Sequence, residues 1–210
     1  MKEKKRFLIL SLLKRKYKLN RNTELIFSTP FECLISVILS SQTRDIVVNR
    51  VTKVLFSIAD SPEKIISLGE RNLLHLIRQI GLYKTKTKNI IKTCKILLKN
   101  YNGVVPNNRK DLENLPGVGR KTSNLILNII FNKKEIAVDT HVFRVCNRTG
   151  FAVGKNPRLV ERILSNIVPS NYKLYVHNWF VLHGKFFCKA RNMCCKICIL
   201  SKLCKFNKKI

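Results

Sequence analysis

The stretch "DLENLPGVGRKTSNLILNIIFN", residues 111–132, decides how the rest of the chain is read. Two short apolar-periodic segments flank Leu115-Pro116-Gly117-Val118-Gly119, so the local pattern is helix, tight turn, helix. Two glycines one residue apart allow a sharp turn whose backbone N–H groups point outward. The second helix begins at about Arg120, with the positive end of its dipole facing the same way. Gly117, Gly119 and Arg120 thus form a candidate seat for a phosphate, held through the backbone without regard to base sequence. The alternative is an ordinary helix–turn–helix corner, which also uses Gly and Pro. Lys121 stands in the first turn of that second helix. As a free amine it would be a nucleophile toward a sugar aldehyde or anomeric carbon. As a cation it would only contact phosphate.

Immediately downstream lies "EIAVDTHVFRVCNRTG", residues 135–150. Asp139 heads a helical pattern of Val142, Phe143, Val145 and Cys146, and an N-cap role is enough to account for it. Carboxylates are scarce, however. Forty-one Lys+Arg against twelve Asp+Glu give a net charge of +29, and no acid occurs between Glu70 and Asp111 or after Glu161. A carboxylate facing a nucleophilic lysine could accept its proton or stabilise an oxocarbenium-like sugar. The charge itself points to a polyanion as partner. Compositional drift toward Lys, Ile and Asn is the competing account, but the local gaps in acidic residues favour nucleic acid.

Helix punctuation recurs along the chain and strand signals are scarce. Thr29-Pro30, Ser61-Pro62 and Asn156-Pro157 each open an apolar-periodic run with a capping residue before proline. Gly69, Gly81, Gly103, Gly150 and Gly184 stand where C-terminal glycine caps are expected. In "NIIKTCKILLKNY" apolar residues recur every three or four positions from Ile90 to Tyr101, and Asn102-Gly103 reads as that helix's exit. Nine or ten helices and no sheet are expected. Cys33, Cys94 and Cys146 fall on apolar helical faces and read as small core residues.

The N-terminal "MKEKKRFLILSLLKRKYKLN" has a short apolar run leading straight into Lys14-Arg15-Lys16, with no small-residue cleavage site. It reads as a basic amphipathic helix, not a signal peptide. No apolar stretch approaches the ~20 residues of a membrane span. A cytoplasmic protein with reduced thiols is expected. That bears on "CKARNMCCKICILSKLC", residues 188–204, which crowds five of eight cysteines into one segment. Reduced thiols set aside a disulfide knot and leave a metal site or accident.

"LPGVGRKT", "AVDTHVFRVCNRT" and the Cys-x6-Cys-x2-Cys-x5-Cys pattern stand in the order and spacing of the bacterial endonuclease III family of helix-hairpin-helix DNA glycosylases and abasic-site lyases, which the chain resembles from about residue 4 to 206. "STPFECLISVILSSQTRD" and "IGLYKTKTKNIIKTCKILL" are similar to early helices of that family. The resemblance implies an all-α fold of two helical lobes with a DNA-binding cleft between them. One lobe would be a bundle over 22–132 containing the helix-hairpin-helix at about 108–127. The other would join 1–21 to 133–210 and carry an iron–sulfur loop at 188–204. It implies Lys121 as the Schiff-base lysine and Asp139 as the catalytic aspartate. Gln42 and Leu82 would fill the gap left by a displaced nucleotide. Cys188, Cys195, Cys198 and Cys204 would hold one 4Fe-4S cluster, with Cys194 spare and zinc as the alternative occupant.

The activity so implied is excision of oxidised pyrimidines from double-stranded DNA, with strand cleavage 3′ to the abasic site by β-elimination. The protein would act as a monomer, in the cytoplasm at the nucleoid, on damaged bases or abasic sites. Two alternatives stay open: a monofunctional adenine-mismatch glycosylase, against which Lys121 argues, and a non-catalytic DNA-binding or redox-sensing cluster protein. Departures from the family pattern are Arg44 and the extra Cys194.

Overall fold

A computed structural model describes residues 1–19 and 24–206, and every regular element among them is helical. The helices are α1 (Glu3–Tyr17), α2 (Pro30–Ser40), α3 (Asp45–Ile58), α4 (Pro62–Leu76), α5 (Tyr83–Tyr101), α6 (Arg109–Glu113), α7 (Arg120–Ile129), α8 (Thr140–Thr149), α9 (Pro157–Ile167) and α10 (Val176–Phe186). The chain divides into two compact units, Asn22–Asn132 and Met1–Arg21 with Lys133–Ile210. The changeover expected between residues 21 and 22 falls outside the described residues.

In the Asn22–Asn132 unit, α2 is the central helix. Its residues Phe31 to Leu39 are all buried, as a nearly unbroken apolar run requires. Thr29 starts it by accepting a hydrogen bond from the Glu32 amide at 3.1 Å, and Ser61 starts α4 by accepting from Lys64. Ile90, Cys94 and Leu97 of α5 are fully buried on the face that the periodicity marks. Burial pushes the Cys33 and Cys94 thiols up to about 12, which keeps them protonated and inert. Asn102-Gly103 ends α5 as expected, the Gly103 amide reaching back to the Leu97 carbonyl at 2.9 Å.

The other unit closes around Trp179, which is fully buried and donates from Nε1 to the Lys18 carbonyl at 2.8 Å. Helix α1 buries Ile9, Leu10 and Leu13 in the same core and keeps its basic last turn, so the amphipathic reading of the N-terminus holds. Among the described residues no helix is long and apolar enough to cross a membrane.

Two of the expected glycine caps are corrected. Gly184 lies inside α10, where a Cβ would come within 2.9 Å of His141 Cβ; the glycine serves close packing of α10 against α8. Gly81 ends no helix. A Cβ there would come within 3.0 Å of the Gln42 carbonyl oxygen, so this glycine lets two turns touch.

Candidate functional site

The hairpin forms as the glycines predict. Asn108 caps α6 by accepting from the Asp111 amide at 3.0 Å, and the chain turns through a Val118 N–H to Leu115 carbonyl hydrogen bond before α7 starts at Arg120. Leu115 and Val118 are buried and anchor the turn from below. Arg109 Nε donates to Asn124 Oδ1 at 3.0 Å and the Ser123 hydroxyl donates to Glu113 Oε1 at 3.1 Å, locking α6 to α7.

The two glycines differ in kind. Gly117 has φ +85°, and a Cβ on it would press on Asn89 Nδ2 at 3.2 Å. Gly119 has an extended backbone with φ −94°, and a Cβ there would meet nothing within 4 Å. No neighbouring atom asks for glycine at 119; beyond its place as the N-cap of α7, what a glycine secures there is an open approach to the backbone. Behind it α7 begins without a side-chain cap, so its first amides stand in the positive field of the helix end. Arg120 and Lys121 are both exposed there.

In the same unit, Gln42 and Leu82 are brought onto neighbouring turns. Both are exposed, and both hold left-handed backbone at φ 55° and 59°. Leu82 is 57% exposed, a costly position for a large apolar side chain unless it meets a partner. The turns are tied by the Gly81 amide, which donates to the Thr43 hydroxyl oxygen at 3.0 Å. Arg44 is exposed beside them, at the start of α3.

Asp139 belongs to the other unit and caps α8. Its Oδ1 accepts from the Val142 amide at 2.8 Å, while Oδ2 lies 3.4 Å from His141 Nδ1. The carboxylate is partly exposed, so one oxygen is fixed by the fold and the group still reaches solvent.

All eight cysteines are free. Cys188, Cys195, Cys198 and Cys204 line one cavity together with Arg148, His183, Phe187 and Leu200, and Cys194 is not among its walls. Two 3-10 turns, Cys195–Ile197 and Ser201–Leu203, fold the segment back on itself. Among the described residues no three His, Cys, Asp or Glu side chains converge tightly enough to hold one metal ion. Four thiols around one shared cavity are a donor set that fits an iron–sulfur cluster, which cysteine thiolates hold from several sides. Burial pushes the Cys198 thiol up to about 11, and neighbouring cysteines add to the rise. Burial also drops the His183 imidazole to about 4, so it is neutral where Nε2 lies 3.4 Å from Cys198 Sγ.

Sequence reasoning missed what holds this loop. Arg144 donates to the Cys188 carbonyl at 2.8 Å and to the Gly184 carbonyl at 3.0 Å, and Arg148 donates to the carbonyls of Lys189 and Ala190. The one available signal was their i, i+4 spacing in "RVCNR", which puts two guanidinium groups on one face of α8. Lys189, Arg191 and Lys196 are exposed on the loop.

Residues 35–170 match the family model described as HhH-GPD superfamily base excision DNA repair protein. The endonuclease III of Buchnera aphidicola subsp. Acyrthosiphon pisum (strain APS) is 57% identical over 210 residues, covering 100% of both chains. That of Escherichia coli (strain K12) is 49% identical over 210 residues, covering 100% of this chain and 99% of the other. Among solved structures, a trapped endonuclease III–DNA covalent intermediate superposes with a TM-score of 0.94 at 38% identity, covering 100% of this chain and 98% of that one. A thermostable thymine-DNA glycosylase superposes with a TM-score of 0.87 at 25% identity, covering 99% and 98%.

Proposed function

This chain belongs to the HhH-GPD superfamily of base excision DNA repair proteins, in its endonuclease III family, and we propose how its residues carry out the repair. It is a DNA glycosylase/abasic-site lyase that acts on damaged duplex DNA. We assign oxidised pyrimidines as the substrate class. The hairpin amides at Gly117, Gly119 and Arg120 hold the phosphate backbone, and Gln42 and Leu82 fill the space left when the damaged nucleotide turns out of the stack.

Lys121 Nζ, as the free amine, then attacks C1′, and the glycosidic electron pair leaves with the base. Asp139 accepts the proton that the amine sheds on forming the bond. The nitrogen lone pair then forms an imine between Lys121 and C1′ as the C1′–O4′ bond breaks, and O4′ takes up a proton from water. A C2′ proton passes to water, and its electron pair forms the C2′–C3′ double bond. The C3′–O bond breaks to expel the phosphate on the 3′ side, and hydrolysis of the imine releases the lysine. Cys188, Cys195, Cys198 and Cys204 hold one 4Fe-4S cluster, which when bound supplies a rigid core for the basic loop and no step of this sequence. The enzyme acts as a monomer in the cytoplasm, at the nucleoid.

The observation that carries this reading is the exposed position of Lys121 in the first turn of α7, directly behind Gly119, whose backbone no neighbouring side chain crowds. The test is borohydride reduction during incubation with duplex DNA carrying a thymine glycol or an abasic site. The wild type is expected to become covalently trapped. Lys121→Gln is expected to bind without trapping, and undiminished trapping in that variant would move the nucleophile elsewhere.

A further inference from the structure

Among the described residues Lys86 is the only buried lysine, at 5% exposure, although it sits in the run "YKTKTK", whose other lysines face solvent. Its ammonium is aimed at the end of α2. Nζ donates to the Leu39 carbonyl at 2.8 Å and to the Ser41 carbonyl at 2.5 Å, and lies 3.4 Å from Thr43 Oγ1. Three protons thus meet three acceptors, and two of these are carbonyls at a helix C-terminus, where a cation is favoured. Thr43 Oγ1 also accepts from the Gly81 amide. The result is a relay from Lys86 through Thr43 to Gly81, joining the turn that carries Gln42 to the turn that carries Leu82.

Both of those turns hold a non-glycine residue in left-handed backbone, a conformation that surrounding contacts must enforce. Hydrogen bonds of this relay reach both turns. We infer that Lys86 is a positioning residue for the strand-opening step: it fastens the Gln42 turn to α2 and, through Thr43, to the Leu82 turn, so that both side chains enter the duplex as one preformed wedge. The inference rests on the proposed roles of Gln42 and Leu82. Burial lowers the lysine's pKa to about 8, so at neutral pH it remains mostly the ammonium that three acceptors require.

The test compares wild type, Lys86→Met, Gln42→Ala, Leu82→Ala and the double variant Lys86→Met/Gln42→Ala on a duplex with one thymine glycol beside 2-aminopurine, whose fluorescence reports unstacking. Lys86→Met keeps the packed stem and removes every donor. It is expected to lose the unstacking signal and to slow single-turnover base release by about tenfold to a hundredfold, as small misplacements of contact groups do. Its affinity for undamaged duplex should stay within about twofold, because the hairpin amides supply that binding. The double variant should be no slower than the slower single variant, since both changes disable one wedge.

Wild-type unstacking in a folded Lys86→Met, or losses that multiply in the double variant, would overturn the inference. If Gln42→Ala and Leu82→Ala both release the base at the wild-type rate, the wedge assignment itself falls and takes this inference with it. Should Lys86→Met fail to fold, Thr43→Val cuts the relay without baring the ammonium and must show the same loss of unstacking.

Discussion

Thr93 of α5 donates its hydroxyl to the Pro116 carbonyl at 3.0 Å and so fastens the hairpin turn to the helix beneath it. The side chain is fully buried, and the carbonyl belongs to the residue just ahead of Gly117. Thr93→Val keeps the shape and removes the donor. It should cost about 1–3 kcal/mol in urea unfolding, the usual penalty for a carbonyl left without its partner. Duplex affinity should fall with it, while the visible absorbance of the cysteine-rich unit stays as in wild type.

Gly117 and Gly119 should fail in different ways. Alanine at 117 would take a left-handed backbone and crowd Asn89, so Gly117→Ala is expected to destabilise the fold by about 1–2 kcal/mol. Gly119→Ala meets no neighbour and should lose no more than about 1 kcal/mol, the N-cap preference of glycine over alanine. Gly119→Val should fold and yet bind every undamaged duplex more weakly, in proportion, when titrated at several salt concentrations. Wild-type affinity in Gly119→Val would remove the hairpin amide from the contact.

These glycines show where the sequence was legible. Starts at Thr29, Ser61, Asn156 and Asp139 are local events, in which a side chain caps its own helix within three residues, and they can be read directly. Gly184 and Gly81 misled because their causes are remote in sequence: His141 for one and the Gln42 carbonyl for the other. Lys86 was invisible for a similar reason, since a lysine in a basic run looks solvated until the end of α2 is placed against it. The cysteine spacing left metal or accident open. The resemblance named four ligands and left Cys194 spare; that those four thiols line one cavity, with Cys194 outside its walls, is what the fold adds.

That cavity gives an iron prediction. Purified protein should hold about four irons per chain and absorb broadly in the visible. Serine at Cys188, Cys195, Cys198 or Cys204 should bleach it, and Cys194→Ser should not. A colourless protein with one zinc would defeat the assignment. Arg148→Met should keep the ligands and loosen the loop they hold, because two loop carbonyls lose their donor. Faster iron loss to a chelator would report this.

Lys86 should also leave a mark on stability against pH. Its folded pKa is pushed down to about 8, below the usual lysine value near 10.4. Between those values the unfolded chain binds more protons than the folded one, so stability rises with pH. The contribution is complete above the unfolded value and is lost as pH falls through about 8. The wild type should therefore gain stability relative to Lys86→Met as pH rises from 7.5 to 10.5, read by urea unfolding at each pH. A constant difference across that range would mean the amine titrates as an exposed lysine.

Asp139 carries two duties that one substitution can separate. Oδ1 caps α8 through the Val142 amide, and asparagine presents an oxygen to that amide equally well. Asp139→Asn should therefore fold with wild-type stability, whereas Asp139→Ala should lose about 1 kcal/mol with the cap. The proposed proton transfer needs the carboxylate, and the amide cannot supply it. On an intact lesion, where a glycosidic bond must be broken, Asp139→Asn should slow base release by about 10²–10⁴-fold, the range attributed to a positioned acid–base group. On a preformed abasic site the aldehyde needs less activation, so strand cleavage should fall much less, and borohydride trapping through Lys121 should persist. Equal losses on both substrates would assign Asp139 to the lysine step alone. Wild-type base release in Asp139→Asn would leave it a helix cap and nothing more.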